Sequence, residues 1–257
     1  MLKIDRTYLN LILVVSALTA LFLLSQSWKK QLTVQNVEVY DTHILTGDEV
    51  KNLADVRDGS PLYKLSLLKI EHRVEGNPFV DRAVVVRALP YDVTITVQER
   101  DPIALVATQT SMFCVDAGGI ILPLPMKRKN NMPVITNVEG QLQVGDTAKG
   151  SLMQGVNFIS DAQKYGSALS ANIAEVRLDG NNLVAYTTAS SLPVIIGHKD
   201  FERKLLYLQK FLTEVAGNGN PDYSYVDLRF DGQIVVGTGS DNVQKQIAMM
   251  RSEGKEN

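Results

Sequence analysis

The first long feature of the chain is an apolar run from Leu9 to Leu24, broken only by Asn10, Ser16 and Thr19. Extended to Tyr8 and Trp28, it predicts a helix over 8–28 long enough to cross a bilayer core at about 1.5 Å per residue, with aromatics where the interfaces fall. Lys3 and Arg6 are offset by Asp5 on one side and Lys29 and Lys30 lie on the other, so charge alone does not orient it. The short head, 1–7, orients it better, with the remainder of the chain outside. A cleaved signal peptide ending near Ser25-Gln26-Ser27 is the alternative; the length of the run and bulky Trp28 argue for an uncleaved anchor. Beyond a linker at 29–33, Val34 to Tyr40 alternates with the period of a half-buried strand. Thr46-Gly47-Asp48-Glu49 is a capping-box pattern that opens a helix with Val50 and Leu53 on one side. Asp58-Gly59-Ser60-Pro61 breaks the chain. A second helix carries Leu67, Ile70 and Val74 on one stripe and stops before Gly76-Asn77-Pro78, where a glycine cap is expected. Strands at Val80–Ala88 and Val93–Val97 follow, separated by Leu89-Pro90-Tyr91-Asp92. The order β-α-α-β-β defines a compact α+β module over 34–101 with both helices on one face of a small sheet.

The region 102–239 predicts a mixed, β-rich domain with two helices. Asp116-Ala117-Gly118-Gly119, Asp179-Gly180-Asn181 and Asp231-Gly232 are hairpin-type turns between apolar or alternating runs. One helix begins at Ser151, with Gln154 completing another capping box, and buries Leu152, Val156 and Ile159. The other begins at Asp200 and sets Phe201, Leu205, Leu208, Leu212 and Val215 on one stripe. A last hairpin spans Tyr225 to Thr238, and 240–257 reads as a polar, frayed tail.

Composition narrows the chemistry. The 257 residues hold 26 Lys+Arg and 28 Asp+Glu, a formal net charge of −2, which argues against nucleic acid as a partner. A mean hydropathy of −0.02 is slightly high for a soluble chain, and the apolar run near the start accounts for it. The one cysteine, Cys114, lies in an apolar run read as a buried strand, and His43, His72 and His198 have no metal-ligand spacing. A disulfide framework and a Cys/His metal site are therefore excluded. No G-x-S-x-G, H-E-x-x-H, phosphate-binding loop or strand-linked G-x-G-x-x-G occurs. Asp116, Asp179 and Asp231 read as turn residues, His72 as a surface histidine, Gly237-Thr238-Gly239 as a strand end, and Lys127-Arg128-Lys129 as a solvated loop. No residue supports a catalytic, cofactor-binding or metal role. What remains is binding. Gln233-Ile234-Val235-Val236 is short, free of proline and near the chain end, so it is either a strand edge open to a partner or an ordinary protected strand.

The module with Gly59-x-Pro61-Leu62, then Asn77-Pro78-Phe79-Val80-x-x-Ala83-x-Val85-x-Arg87-x-x-Pro90, resembles a POTRA (polypeptide-transport-associated) domain. Val93-x-Ile95-x-Val97-x-Glu99-Arg100-x-Pro102-Ile103-Ala104 resembles the junction of the bacterial division proteins of the FtsQ/DivIB family. Val115-Asp116-x-x-Gly119-x-Ile121, Leu124-Pro125 to Leu142, Val194-Ile195-Ile196-Gly197 and Val226-Asp227-Leu228-Arg229-Phe230 continue the likeness. The resemblance implies a short cytoplasmic head, one pass through the cytoplasmic (inner) membrane, an extracytoplasmic POTRA domain and a β domain, placed at the division septum. It implies a non-enzymatic scaffold that recruits FtsB/DivIC-like and FtsL-like proteins, with other divisome components meeting the POTRA domain. It also implies that the final strands bind the FtsB-like partner through Arg229, Phe230, Gln233, Ile234, Val235 and Val236. Two positions depart from better-known members. Phe230 stands where they have tyrosine, losing a hydroxyl donor, and His198, beside Lys199, stands where they have arginine, losing a bidentate fork. The runner-up is a POTRA-bearing periplasmic chaperone or outer-membrane transport component, against which stand the anchor and the lack of barrel strands.

Overall fold

The computed structural model describes residues 6–125, 132–214 and 223–238, with backbone alone at 6, 7, 9 and 26–31. The head at 1–5, the basic run at 127–129, Val215 and the tail at 240–257 lie outside them. By internal contacts the chain divides into two units, Met1–Arg100 and Asp101–Asn257.

The first unit opens with helix α1, Arg6–Gln31. Its side chains from Asn10 to Ser25 are exposed around the whole circumference, so among the described residues the helix packs on no other element. Among the described residues no helix is long and apolar enough to cross a membrane; the expected span over 8–28 runs on into residues 26–28, whose side chains lie outside the description.

Strand β1, Asn36–Tyr40, then leads to helix α2, Gly47–Ala54. The capping box forms as the sequence predicts: Thr46 Oγ1 accepts from the Glu49 N–H at 3.2 Å, and the Thr46 N–H donates to Glu49 Oε2 at 2.7 Å. A 3-10 turn, Leu62–Lys64, precedes helix α3, Leu67–Glu75, which buries Ile70 and Val74. The glycine cap differs from expectation. Gly76 is right-handed at φ −65, and a Cβ there would lie 3.1 Å from the Arg73 carbonyl oxygen, so close approach rather than a left-handed turn explains the residue.

Strands β2, Val80–Ala88, and β3, Asp92–Glu99, form a hairpin, and β1 joins β3 in parallel to give the order β1-β3-β2. Central β3 puts Val93, Ile95 and Val97 into a core with Val37, Val50, Leu62, Ile70, Val74, Ala83 and Val85. At the end of β3 the Glu99 carboxylate accepts from three successive backbone N–H groups, His43 at 2.9 Å, Ile44 at 2.7 Å and Leu45 at 2.9 Å. That contact ties the end of the hairpin to the approach to α2, since a carboxylate satisfies a cluster of amides that no strand reaches.

Among the described residues the second unit is one sheet of nine strands. They are β4 Pro102–Ala107, β5 Met112–Asp116, β6 Ile121–Leu122, β7 Val134–Thr136, β8 Ile173–Asp179, β9 Asn182–Thr187, β10 Pro193–Gly197, β11 Tyr223–Asp227 and β12 Val235–Thr238. Their order is β12-β11-β10-β9-β8-β7-β4-β5-β6. Cys114 is buried in β5. The turns after Asp116, Asp179 and Asp227 close antiparallel pairs, and the Asp116 carboxylate accepts from the Ile120 N–H at 2.8 Å as a turn residue should.

Among the described residues three helices, not two, accompany the sheet: α4 Gly150–Lys164, the short α5 Ser167–Ala171, and α6 Phe201–Glu214. The expected capping box at Ser151 does not form. The helix begins a residue earlier, at Gly150 with φ +56, so Ser151 already lies inside it and Gln154 Oε1 is buried with no hydrogen-bond partner among the described residues. Leu152, Val156 and Ile159 are buried as expected, with Leu205 and Leu208 of α6 in the same core.

Candidate functional site

The last described strands meet the start of α6 around a single glycine. Gly197 ends β10 at φ +82, and a Cβ there would lie 3.3 Å from Arg229 Cγ and 3.4 Å from Lys204 Nζ. Glycine therefore serves twice, taking a left-handed backbone and leaving room for two basic side chains.

Arg229 follows β11 by two residues and shares a side with Asp227, as alternate residues of an extended chain do. Its Nε donates to both Asp227 oxygens at 3.0 and 3.1 Å, its Nη2 to Oδ2 at 2.8 Å, and its backbone N–H to Oδ1 at 3.0 Å. The Asp227 side chain is 2% exposed and that of Arg229 17%, so this forked pair is largely out of water and holds the backbone turn as well as the charge. The guanidinium carbon stands 5.7 Å from the centroid of the Phe230 ring, within cation–π range. Phe230 itself is half exposed. The sequence likeness singles out Arg229 as a partner contact; in the fold its charge is already matched at close range, and the exposed surface beside it is the ring.

Lys204 is the residue that the sequence reading missed. It is buried, and its Nζ donates to the Ile196 carbonyl oxygen at 2.6 Å. Burial pushes its pKa down, partly countered by the carboxylate of Asp200. The signal was present: Lys204 falls between Phe201 and Leu205 and Leu208 at helical spacing, on the apolar stripe where a lysine is out of place. Phe211 completes that stripe and packs against Tyr223 at 5.5 Å between ring centroids.

His198 and Lys199 are exposed on the same loop, and His198 Nδ1 lies 3.4 Å from Asn182 Oδ1 at the start of β9. Arg203 donates to Asp200 at 3.2 Å and to Asp231 at 2.6 Å, linking the first turn of α6 to the loop before β12. Of the four residues expected as a terminal strand, Gln233 and Ile234 precede the strand, while Val235 and Val236 begin it. Ile234 is partly buried against the core and Val236 is 38% exposed. The site residues thus gather at one end of β10 and β11 and along β12. Among the described residues β12 pairs with β11 alone.

The Tyr225 ring lies across β12. A Cβ at Gly237 would stand 2.1 Å from Tyr225 Cε1, so only glycine fits beneath that ring. A groove of about 840 Å³ between Thr108–Ser111 and Asn137–Gln143 contains none of these residues. Among the described residues no group of three or more His, Cys, Asp or Glu is arranged to hold a metal.

Comparison with known proteins gives these positions a context. A model of the FtsQ-type POTRA domain matches residues 32–100, and a model of the FtsQ/DivIB cell division protein C-terminal region matches 104–229, stopping one residue short of Phe230. A cell division protein FtsQ of Geotalea daltonii is 28% identical over 79% of this chain and 74% of its own length. Another, of Salinibacter ruber, is 28% identical over 88% of this chain and 90% of its own. The extracytoplasmic domain of the division protein DivIB of Geobacillus stearothermophilus matches 48% of this chain and 99% of its own at a TM-score of 0.30 and 14% identity, too distant to carry a structural argument. With both matched regions falling in the family's order along one chain, the protein belongs to the FtsQ/DivIB family of bacterial cell division proteins.

Proposed function

We propose that the chain is a non-enzymatic scaffold of the divisome, held in the cytoplasmic membrane by α1, with both units outside the cytoplasm at the septum. Its task is to recruit FtsB/DivIC-like and FtsL-like proteins and link them to septal peptidoglycan synthesis. The partner's strand adds to β12, where backbone groups at a sheet edge supply affinity and side chains supply selection. The observation that carries this reading is the pairing of β12 with β11 alone among the described residues, beside an exposed Phe230 on a loop stiffened by Asp227 and Arg229. Phe230 offers the partner a ring face where a tyrosine would offer a hydroxyl as well. His198 and Lys199 border the same end, and there a lysine acts as a point charge rather than a fork. The apolar run from Leu9 to Leu24 supports the anchor.

The test is co-purification of an FtsB/DivIC-like protein with the full chain. Phe230→Ala combined with Val236→Lys alters only exposed side chains, and truncation after Asp231 removes β12 altogether. Both changes are expected to abolish capture while the first leaves the thermal midpoint unchanged. Undiminished capture by the truncated chain rules out docking at this edge. Charge reversal at Arg229 is a poorer probe, because it also leaves buried Asp227 without its partner.

A further inference from the structure

We infer that one end of the POTRA sheet rests on the lipid surface of the membrane that holds α1, an inference that rests on the anchor proposed above. The backbone itself sets which end this is. One residue beyond α1, the Leu32 carbonyl accepts from the Leu62 N–H at 2.9 Å, and the Gln35 N–H donates to the Tyr91 carbonyl at 2.8 Å. In register, Asn36 and Ala88 both stand opposite Asp92, so β1 and β3 begin, and β2 ends, at the same end of the sheet. Helix α3 starts there too. Arg87 Nη2 donates to the Leu65 carbonyl just before its first turn, whereas Glu75 in its last turn reaches Ala83, further along β2.

That end carries four exposed large apolar side chains on three separate segments: Tyr63 at 45%, Leu68 at 68%, Leu89 at 65% and Tyr91 at 37%. The opposite end of the sheet shows Tyr40. Lys64 and Lys69, both exposed, lie beside Tyr63 and Leu68, with Arg57, Asp58 and Asp92 nearby. Leucine and tyrosine side chains next to lysines suit the boundary between headgroups and acyl chains, where rings and leucines sink and lysine stems reach up to phosphate. Because Leu32 follows α1 by one residue, no long linker separates this rim from the bilayer that α1 enters.

The test places single nitroxide labels on the full chain in protein-free vesicles of phosphatidylcholine and phosphatidylglycerol. The labelled variants are Leu18→Cys in α1, Leu68→Cys and Leu89→Cys on the rim, and Gln98→Cys, six positions along β3 from Asp92 and about 20 Å away at the rise of a strand. Buried Cys114 escapes labelling. Accessibility to oxygen relative to a water-soluble nickel complex reads the depth of each label. The expected result is a high ratio at 18, a raised ratio at 68 and 89, and an aqueous ratio at 98. A high ratio at 18 with 68 and 89 matching 98 overturns the rim contact and leaves the anchor standing. An aqueous ratio at 18 overturns both. A rise at 68 and 89 seen only when membrane proteins are added also overturns the lipid contact, since the vesicles themselves contain no protein to supply it.

Discussion

Among the described residues strands β2 and β12 each end a sheet, yet they are finished in different ways. Along β2, α3 supplies carboxylates to the backbone: Glu75 Oε1 accepts from the Ala83 N–H at 3.2 Å and Glu71 Oε1 from the Val85 N–H at 3.0 Å. Glu71 and Glu75 are one helical turn apart and their donors two strand residues apart, so the two repeats nearly coincide, about 6 Å against about 6.6 Å. The carboxylates therefore stand in for the carbonyls of an additional strand. Among the described residues no such helix is laid along β12, which pairs with β11 alone and is kept flat against it by the Tyr225 ring over Gly237. Among the described residues one edge is sealed by its own helix and the other meets no such helix, and the proposed binding follows that difference.

The hardest blow to this contrast is Gly237→Val. Any Cβ there collides with Tyr225, so β12 must leave β11 or the ring must leave its place, at a cost of about 3 kcal/mol by overpacking. Urea unfolding measures the cost, and partner capture should fall with it; a fully stable variant would mean that the ring does not hold the edge. Next in size is Glu99→Gln, which weakens three contacts to backbone amides and should cost about 2 kcal/mol, since bonds to charged groups exceed neutral ones. An unchanged midpoint would show that water replaces the carboxylate without loss.

The sealed edge is opened by Glu71→Ala with Glu75→Ala. Each change removes one charge-assisted bond, worth about 1 kcal/mol at a partly exposed position. Faster amide exchange at Ala83 and Val85 and self-association that grows with concentration are expected; exchange at the wild-type rate would show that α3 does not guard β2. A smaller effect follows from Lys204. Its pKa is lowered on folding, so the unfolded chain holds the proton more tightly, and stability is regained as pH rises from the folded value towards the ordinary lysine value. Wild type should therefore gain on Lys204→Met across that alkaline interval in paired urea titrations, and a constant gap would contradict the burial cost.

Local signals carried much of this architecture. The capping box at Thr46, the bounds of β2 and the stripe of α3 follow from spacing that acts within one turn or one strand. The second unit was less legible. Its parallel contacts of β7 with β4 and of β10 with β11 depend on which distant segments meet, and nothing in the pattern of either strand records that. At Ser151 a correct motif was defeated by the glycine before it, whose left-handed backbone started the helix early. At the site, the sequence singled out Arg229 and Phe230 together but did not separate them. The fold does so, turning the arginine inward to Asp227 and the ring outward.

The order of the large sheet has a consequence for timing. From β8 to β12 the strands lie side by side in the order in which they leave the ribosome, and β12 comes after every other described strand. On the proposed reading, in which this unit crosses the membrane, a copy halted before β12 lacks this edge. Partner capture at β12 would thus act as a completion check, withholding assembly from any copy whose passage across the membrane was cut short.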